Sequence, residues 1–133
     1  MILEVNELKQ KIIESLNNQY DKIIFYVKDK NFSRFKELYE KYKIEPEVRD
    51  KDGNSLLSLA VQSNSFQIVN YLLNAGANPN TKNNKNNTPL HYALTFHNYE
   101  MADMLIRRGA DEKAVNKMGT TPWQCLDMGV SIV

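Results

Sequence analysis

The chain has 133 residues, of which 42% are hydrophobic and 25% are charged, a composition typical of one folded domain and too apolar for a disordered chain. Its 17 basic and 16 acidic side chains leave a net charge of +1, which argues against a nucleic-acid-binding surface and against a polybasic membrane anchor. One cysteine excludes an internal disulfide, and no apolar run has the length of a signal-peptide core or a membrane span. We therefore expect a cytoplasmic protein, although export by a dedicated secretion machine would leave the same pattern.

The N-terminal segment, residues 1–19, predicts an amphipathic helix. Its apolar stripe at helical spacing consists of Val5, Leu8, Ile12 and Leu16. The next segment, residues 20–50, contains two short amphipathic stretches that break near Asn31.

The middle of the chain is an internal repeat with a period of 33 residues. The residues that match at this period are Ser55 and Thr88, Leu57 and Leu90, Ala60 and Ala93, Leu72 and Leu105, Gly76 and Gly109, and Ala77 and Ala110. A further step leads from Thr88 to Thr121, and two steps lead from Gly53 to Gly119. Because so many residues match at the same spacing, we divide the chain into units at 51–83 and 84–116, with a partial unit at 117–133.

Each unit predicts two short helices joined by a turn. The first helix begins with Ser or Thr as N-cap, followed by Pro89 or Pro122 at the first helical position. Asn64 and His97 then end that helix, because both residue types tolerate a left-handed turn conformation. A second apolar stripe at helical spacing follows, and Gly76 or Gly109 ends it.

The sequence of residues 20–50 predicts a degenerate copy of the same unit. Its apolar residues match those of the second helix at an offset of 34, so one residue is inserted. The matching residues are Phe35, Leu38 and Tyr39, which correspond to Val69, Leu72 and Leu73.

The C-terminal unit is incomplete, because its first helix extends to about Val130 and only three residues follow. Trp123 occupies the position of Leu57 and Leu90, where we expect it to fill extra core volume. Two interpretations remain open for this end. It is a compact or truncated cap, or its last apolar side chains contact a partner. Those side chains are Met128, Val130, Ile132 and Val133.

The unit resembles the ankyrin repeat, whose T-P-L-H-x-A motif is present as residues 88–93. The "LL..GA" ending of that family is present at 72–77 and, with Ile106 in place of the second leucine, at 105–110. The resemblance is strongest over residues 50–116. It implies an all-α solenoid of stacked helix-turn-helix units with hairpin-like loops. Residues 1–19 fit an N-terminal capping helix, since the terminal unit of a solenoid must give one polar face to water.

Candidate catalytic residues do not form a constellation in the sequence. His91 and His97 are six residues apart and separated by the expected turn, so we expect them to share no metal ion. Cys125 has no evident base partner, and glycine-rich phosphate loops, HExxH and CxxC motifs are missing. We therefore expect no enzyme activity, no cofactor and no metal. The loop and helix-end carboxylates are interpreted as solvated charges; they are Asp50, Asp52, Asp103, Asp111 and Glu112.

The resemblance implies a structural role for His91, because the histidine of this motif hydrogen-bonds the capping threonine and the neighbouring loop. An imidazole can accept at one nitrogen and donate from the other. The preceding unit has Ser58 at this position, which can form only part of this network, and the last unit has Gln124, which can both donate and accept.

The resemblance also implies that a partner protein binds the concave surface formed by the loop tips and the exposed side of each first helix. By phase, this surface contains Lys51, Asp52, Asn54, Gln62, Ser63, Asn84, Lys85, Asn87, Tyr92, Thr95, Phe96, Lys117, Met118, Thr120 and Met128, and the degenerate unit adds Tyr26, Asp29 and Lys30. Tyr92 and Phe96 are one helical turn apart and lie outside the core pattern, so we expect them as exposed anchors. In the alternative interpretation, Tyr92 covers the seam between units and Phe96 packs on the turn.

Three functional hypotheses follow. The leading one is a protein-binding module, monomeric when unbound, that acts as an inhibitor, immunity-type protein, effector or scaffold. A second is that the C-terminal residues Ser131, Ile132 and Val133 form a ligand for a PDZ-like domain. The third, an enzyme or a small-ligand binder, requires a pocket that the sequence pattern does not predict.

Overall fold

The computed structural model of the protein describes residues 4–15 and 18–128, and these residues form eight α helices and no β strand apart from one isolated bridge between Arg49 and Ser55. The helices are α1 (Val5–Ser15), α2 (Gln19–Lys28), α3 (Phe32–Lys41), α4 (Leu56–Gln62), α5 (Phe66–Asn74), α6 (Pro89–Thr95), α7 (Tyr99–Arg107) and α8 (Pro122–Met128). The predicted all-α class is confirmed. None of these helices combines the length and the apolar character needed to cross a lipid bilayer.

The helices stack in two rows. The inner row consists of α2, α4, α6 and α8, each packed on the next, and α3, α5 and α7 pair with the first three of these from outside. The core lies between the rows, where Leu57, Leu72, Leu90 and Leu105 are fully buried. We number the helix pairs as units: the first contains α2 and α3, the second α4 and α5, the third α6 and α7, and the fourth α8.

The predicted helix starts are confirmed at all three caps. The Ser55, Thr88 and Thr121 hydroxyl groups each accept a hydrogen bond from the backbone N–H three residues ahead, at 3.2 to 3.4 Å. Gln124 also accepts, through Oε1, from the Thr121 backbone N–H at 2.9 Å. These bonds satisfy backbone donors that have no partner inside the helix.

The turns between paired helices have the left-handed conformation that the sequence predicts. Asn64 and His97 both have φ of 59°, and Lys30 takes the same position in the first unit with φ of 57°. Asn86, which replaces the loop glycine of the neighbouring units, has φ of 58°. The residue inserted in the first unit lies in α3, which has ten residues where α5 and α7 have nine.

Both ends of the stack differ from the sequence-based expectation. Helix α1 forms, but Val5 and Leu8 of its apolar stripe are 68% and 51% exposed, and an ion pair of 2.5 Å between Lys9 and Asp29 connects α1 to the first unit. Trp123 does not fill core volume; it is 40% exposed, and its indole N–H donates to Glu112 Oε1 at 3.0 Å. The reason is that no helix in the described part of the chain packs beyond α8.

Some predictions for the N-terminal stripe and for the C-terminal tail concern residues that the structure does not describe. Leu16, Val130, Ser131, Ile132 and Val133 lie outside the described residues, and so does the side chain of Met128. The tail hypothesis therefore stays a prediction.

Candidate partner-binding surface

The hairpin loops that connect the units are each held by one side-chain oxygen. This oxygen accepts two backbone N–H groups, from residues two and four positions ahead, at 2.8 to 3.0 Å. The accepting residues are Asp50, Asn83 and Asn116. Asp50, interpreted from the sequence as a solvated charge, is half-buried, and its carboxylate also holds the loop. The 33-residue spacing of these three positions is the sequence feature that identifies them.

Neighbouring loops are joined at their tips by backbone hydrogen bonds. The Asn84 N–H donates to the Asp52 carbonyl, and the Lys117 N–H donates to the Lys85 carbonyl, each at 3.0 Å. Each bond joins loops of adjacent units, so the tips lie side by side along the concave side of the stack.

Behind the tips, buried amide side chains connect the same loops. Asn83 Nδ2 donates to Asn54 Oδ1, and Asn116 Nδ2 donates to Asn87 Oδ1, both at 2.9 Å. Asn54, Asn87 and Thr120 were predicted on the contact surface, but they are buried. Their polar atoms hold the loops together, and this is the physical reason why they are not exposed.

His91 is fully buried and ties the third unit to the fourth, as the sequence predicts. Its Nδ1 accepts from the Thr88 backbone N–H at 3.1 Å and lies 2.8 Å from the Thr88 hydroxyl oxygen. Its Nε2 lies 2.8 Å from the Thr120 carbonyl oxygen, which can only accept, so the proton is on Nε2. Burial lowers the pKa of His91, an effect that the bond to the Thr120 carbonyl opposes. The ring is therefore neutral, and its role is structural.

Ser58, at the position of His91 in the second unit, forms a different bond. Its hydroxyl accepts from Gln62 Nε2 at 3.2 Å, one turn along the same helix. The prediction that Ser58 reproduces only part of the histidine network is consistent with this contact within α4.

Tyr92 is not the exposed anchor that the sequence predicts. It is only 4% exposed, and its hydroxyl oxygen accepts from Asn83 Nδ2 at 2.6 Å. The side chain of Asn83 lies against the phenol, so the loop covers a helix position that the apolar pattern alone leaves open. Phe96 is 46% exposed, as predicted, and its ring stacks on that of Tyr92 with centroids 6.2 Å apart.

The concave side contains two adjacent depressions. The loop groove has a volume of about 310 Å³ and lies between the tips and inner helices of the second and third units. It is lined by Asp52, Asn54, Gln62, Asn83, Asn84, Lys85 and Tyr92. The helix-end groove, of about 350 Å³, is lined by Val61, Gln62, Asn64, Ala93, Phe96, His97 and Asn98. Because Gln62 lines both, the two grooves adjoin at this side chain.

The remaining predicted contact residues are distributed around these grooves. Lys51, Lys117 and Met118 are exposed at loop tips, and Ser63 is half-buried at the end of α4. The Thr95 side chain lies next to the thiol of Cys125, so it faces the seam between α6 and α8.

The first unit contributes less to this surface than predicted. Tyr26 is buried, Asp29 forms the ion pair with Lys9, and Lys30 is exposed in the turn.

Cys125 is 1% exposed, and burial raises the pKa of its thiol, so the thiolate that acts as a nucleophile is disfavoured. Among the residues that the structure describes, no three His, Cys, Asp or Glu side chains are grouped so that they could hold a metal ion.

Comparison with known proteins adds one finding to this geometry. A family model described as ankyrin repeats, in three copies, matches residues 23–116. The matched range includes the last six residues of α2 and all of α3, where the sequence shows only a degenerate unit. A comparison with curated proteins found no match.

Proposed function

Since the chain belongs to the ankyrin-repeat family, we propose that it binds a partner protein with the concave surface formed by the loop groove and the helix-end groove. Ankyrin repeats are generally protein–protein interaction modules. A role as an inhibitor, immunity-type protein, effector or scaffold is the corresponding biological hypothesis, with the unbound chain as a monomer.

The observation that carries this proposal is the exposure of Phe96, which lines the helix-end groove next to the loop groove. Aromatic side chains at the centre of a contact surface commonly supply much of the binding energy, because they bury a large area with few rotatable bonds. Phe96 is held by stacking on the buried ring of Tyr92, so its ring is already positioned before a partner binds.

Tyr99 offers a matched control. It is also an exposed aromatic residue, at 57%, but it begins the outer helix α7 rather than lining a groove. If the concave surface binds the partner, Phe96→Ala weakens binding about tenfold, the effect of a moderate hot spot, and Tyr99→Ala leaves it unchanged.

The partner for this test is obtained by site-specific crosslinking. A photoreactive amino acid replaces Gln62 in the grooves or, as a control, the exposed Glu100 in α7, and the protein adducts formed in cells are identified by mass spectrometry. We expect an adduct that forms from position 62 and not from position 100. Its purified partner then enters the comparison of Phe96→Ala with Tyr99→Ala by calorimetry. Equal adducts from both positions, or equal affinity of both variants, would contradict the proposal.

A further inference from the structure

The direction of the hydrogen bonds behind the loop groove, that is, which group donates and which accepts, can be assigned. The assignment starts from groups that can only accept or only donate. The Asp50 carboxylate only accepts, and it lies 3.3 Å from Asn54 Nδ2. The Asn54 amide is therefore oriented with Oδ1 on its other side. That oxygen accepts from Asn83 Nδ2 at 2.9 Å and from Gln62 Nε2 at 3.4 Å.

The same direction fixes the role of Tyr92. Asn83 Oδ1 accepts two backbone N–H groups, so the nitrogen of this amide must face Asn54 and Tyr92. The Tyr92 oxygen thus accepts a hydrogen bond, and its own proton is left to donate. Among the described residues the structure shows no acceptor for that proton, although the side chain is only 4% exposed and lines the groove. A buried hydroxyl with an unused donor favours a ligand acceptor at this position.

Gln62 presents the complementary group. Its Nε2 donates to Ser58 Oγ and Asn54 Oδ1, which leaves Oε1 as an acceptor for which the described part of the chain shows no donor. The groove therefore offers one hydrogen-bond donor and one acceptor from two neutral side chains, Tyr92 and Gln62.

The rim of the groove carries one charge of each sign. Asp52 and Lys85 occupy the same loop position in adjacent units, and both are exposed. The four ion pairs found among the described residues involve neither of them. Both charges are thus available to a ligand that lies across the two loops.

We infer that the loop groove binds an extended peptide segment of the partner through its backbone, with a basic side chain against Asp52 and an acidic side chain against Lys85. This inference rests on the proposed function and specifies the chemistry of its partner. A peptide group offers one acceptor and one donor, which match Tyr92 Oη–H and Gln62 Oε1. The interior of a helix has already paired these groups internally, whereas an extended segment presents both along its length, and this favours an extended segment.

The corresponding positions in other units lack this pair of groups. At the repeat period, Tyr92 corresponds to Leu59 in the second unit and to Cys125 in the fourth, and Gln62 corresponds to Thr95 in the third. The site is therefore specific to the seam between the second and third units.

Peptides displayed on phage, with twelve randomised residues, provide the probe. They are selected on the purified full-length chain, synthesised, and titrated by calorimetry against the wild type and four variants. We expect selected peptides to contain a basic and an acidic residue at a constant spacing. Tyr92→Phe weakens binding about fivefold, the loss expected for one hydrogen bond. Lys85→Glu and Asp52→Lys each weaken it about tenfold, and Lys36→Glu, in the exposed surface of α3, leaves it unchanged.

Two further experiments separate specific contacts from general effects. A peptide whose acidic residue is replaced by lysine regains affinity for Lys85→Glu, because the charges are again opposite. Replacing the peptide amides one at a time by esters, which removes one N–H each, lowers affinity at one position, where that N–H donates to Gln62. The melting temperature of each variant is measured alongside. If Tyr92→Phe does not fold, the two charge reversals on the exposed rim decide the question.

Peptide binding that is insensitive to Tyr92→Phe and to both charge reversals overturns the inference. So does a failure to select peptides while position 62 still crosslinks a folded partner, and in that case the proposed function stands. Absence of both peptide binding and crosslinking at position 62 overturns both proposals.

Discussion

The second and third units have the same backbone plan and differ in the polar side chains that secure it. In the second unit Ser58 accepts a bond from Gln62 within its own helix, whereas in the third unit His91 reaches the Thr120 carbonyl of the next loop. The second unit has Gly53 at its loop tip and the third has Asn86, both with positive φ. The comparison indicates that the same backbone shape does not require the same bonds, and we expect these bonds to determine which seam is most sensitive to substitution.

The largest difference in stability between the two units is expected on removing the side chains of His91 and Ser58. His91→Ala should lower the free energy of unfolding by about 3 kcal/mol, because it leaves the Thr88 N–H and the Thr120 carbonyl buried without their partner. Ser58→Ala should cost about 1 kcal/mol, since only the bond from Gln62 is lost. Urea denaturation of both variants measures the difference. Equal losses would show that the tie to the fourth unit contributes no more than a bond within one helix. A His91→Ala protein that keeps its stability and loses partner binding would contradict the structural role.

A smaller difference is expected at the loop tips. A Cβ atom added to Gly53 would lie 2.9 Å from the Asn84 backbone nitrogen, and φ is 77°. Gly53→Ala should therefore destabilise the protein by about 2 kcal/mol. Asn86 already has a side chain at φ of 58°, so Asn86→Gly should change stability by less than about 0.5 kcal/mol. Thermal melting of the two variants tests this. A large effect of Asn86→Gly would mean that the asparagine side chain itself stabilises the loop.

The smallest effect is expected from pH and involves only the third unit. Because the folded state lowers the pKa of His91, the unfolded chain binds a proton more readily. Neutral His91 makes its full contribution to the free energy of unfolding above the ordinary histidine pKa of about 6.5. This contribution is lost as the pH falls from there towards the lowered pKa of the folded state.

His91→Gln should remove this pH dependence. The exposed His97 is present in both proteins, so a difference between their pH profiles comes from position 91. The measurement is the free energy of unfolding of both proteins between pH 7.5 and about 5, above the range where carboxylates dominate. Parallel pH profiles of the two proteins would contradict the assignment.

The sequence predicted those features that depend on local geometry. The N-caps, Pro89 at the first helical position, and the left-handed turns at Asn64 and His97 follow from backbone rules that act within a few residues. The role of His91 was predicted because its motif and the two-sided chemistry of imidazole agree.

What the sequence could not predict depends on groups that meet across units. The burial of Tyr92 results from Asn83, which belongs to the preceding loop, and a helical pattern contains no information about that loop. Trp123 occupies a repeat position that is buried in the other units. Burial at this position requires a following helix to cover it, and the described residues provide none. The grooves likewise depend on how far apart adjacent units stack.

The position of the loop groove across a seam has a mechanical consequence. Asp52 and Gln62 belong to the second unit, and Lys85 and Tyr92 belong to the third, so a segment bound to both acts as a strut between them. Each unit of a solenoid contacts only its neighbours, and a stretched or bent stack yields at its weakest seam. A segment bound in the groove would add resistance at the seam between the second and third units, so a force that opens this seam and occupancy of the groove oppose each other.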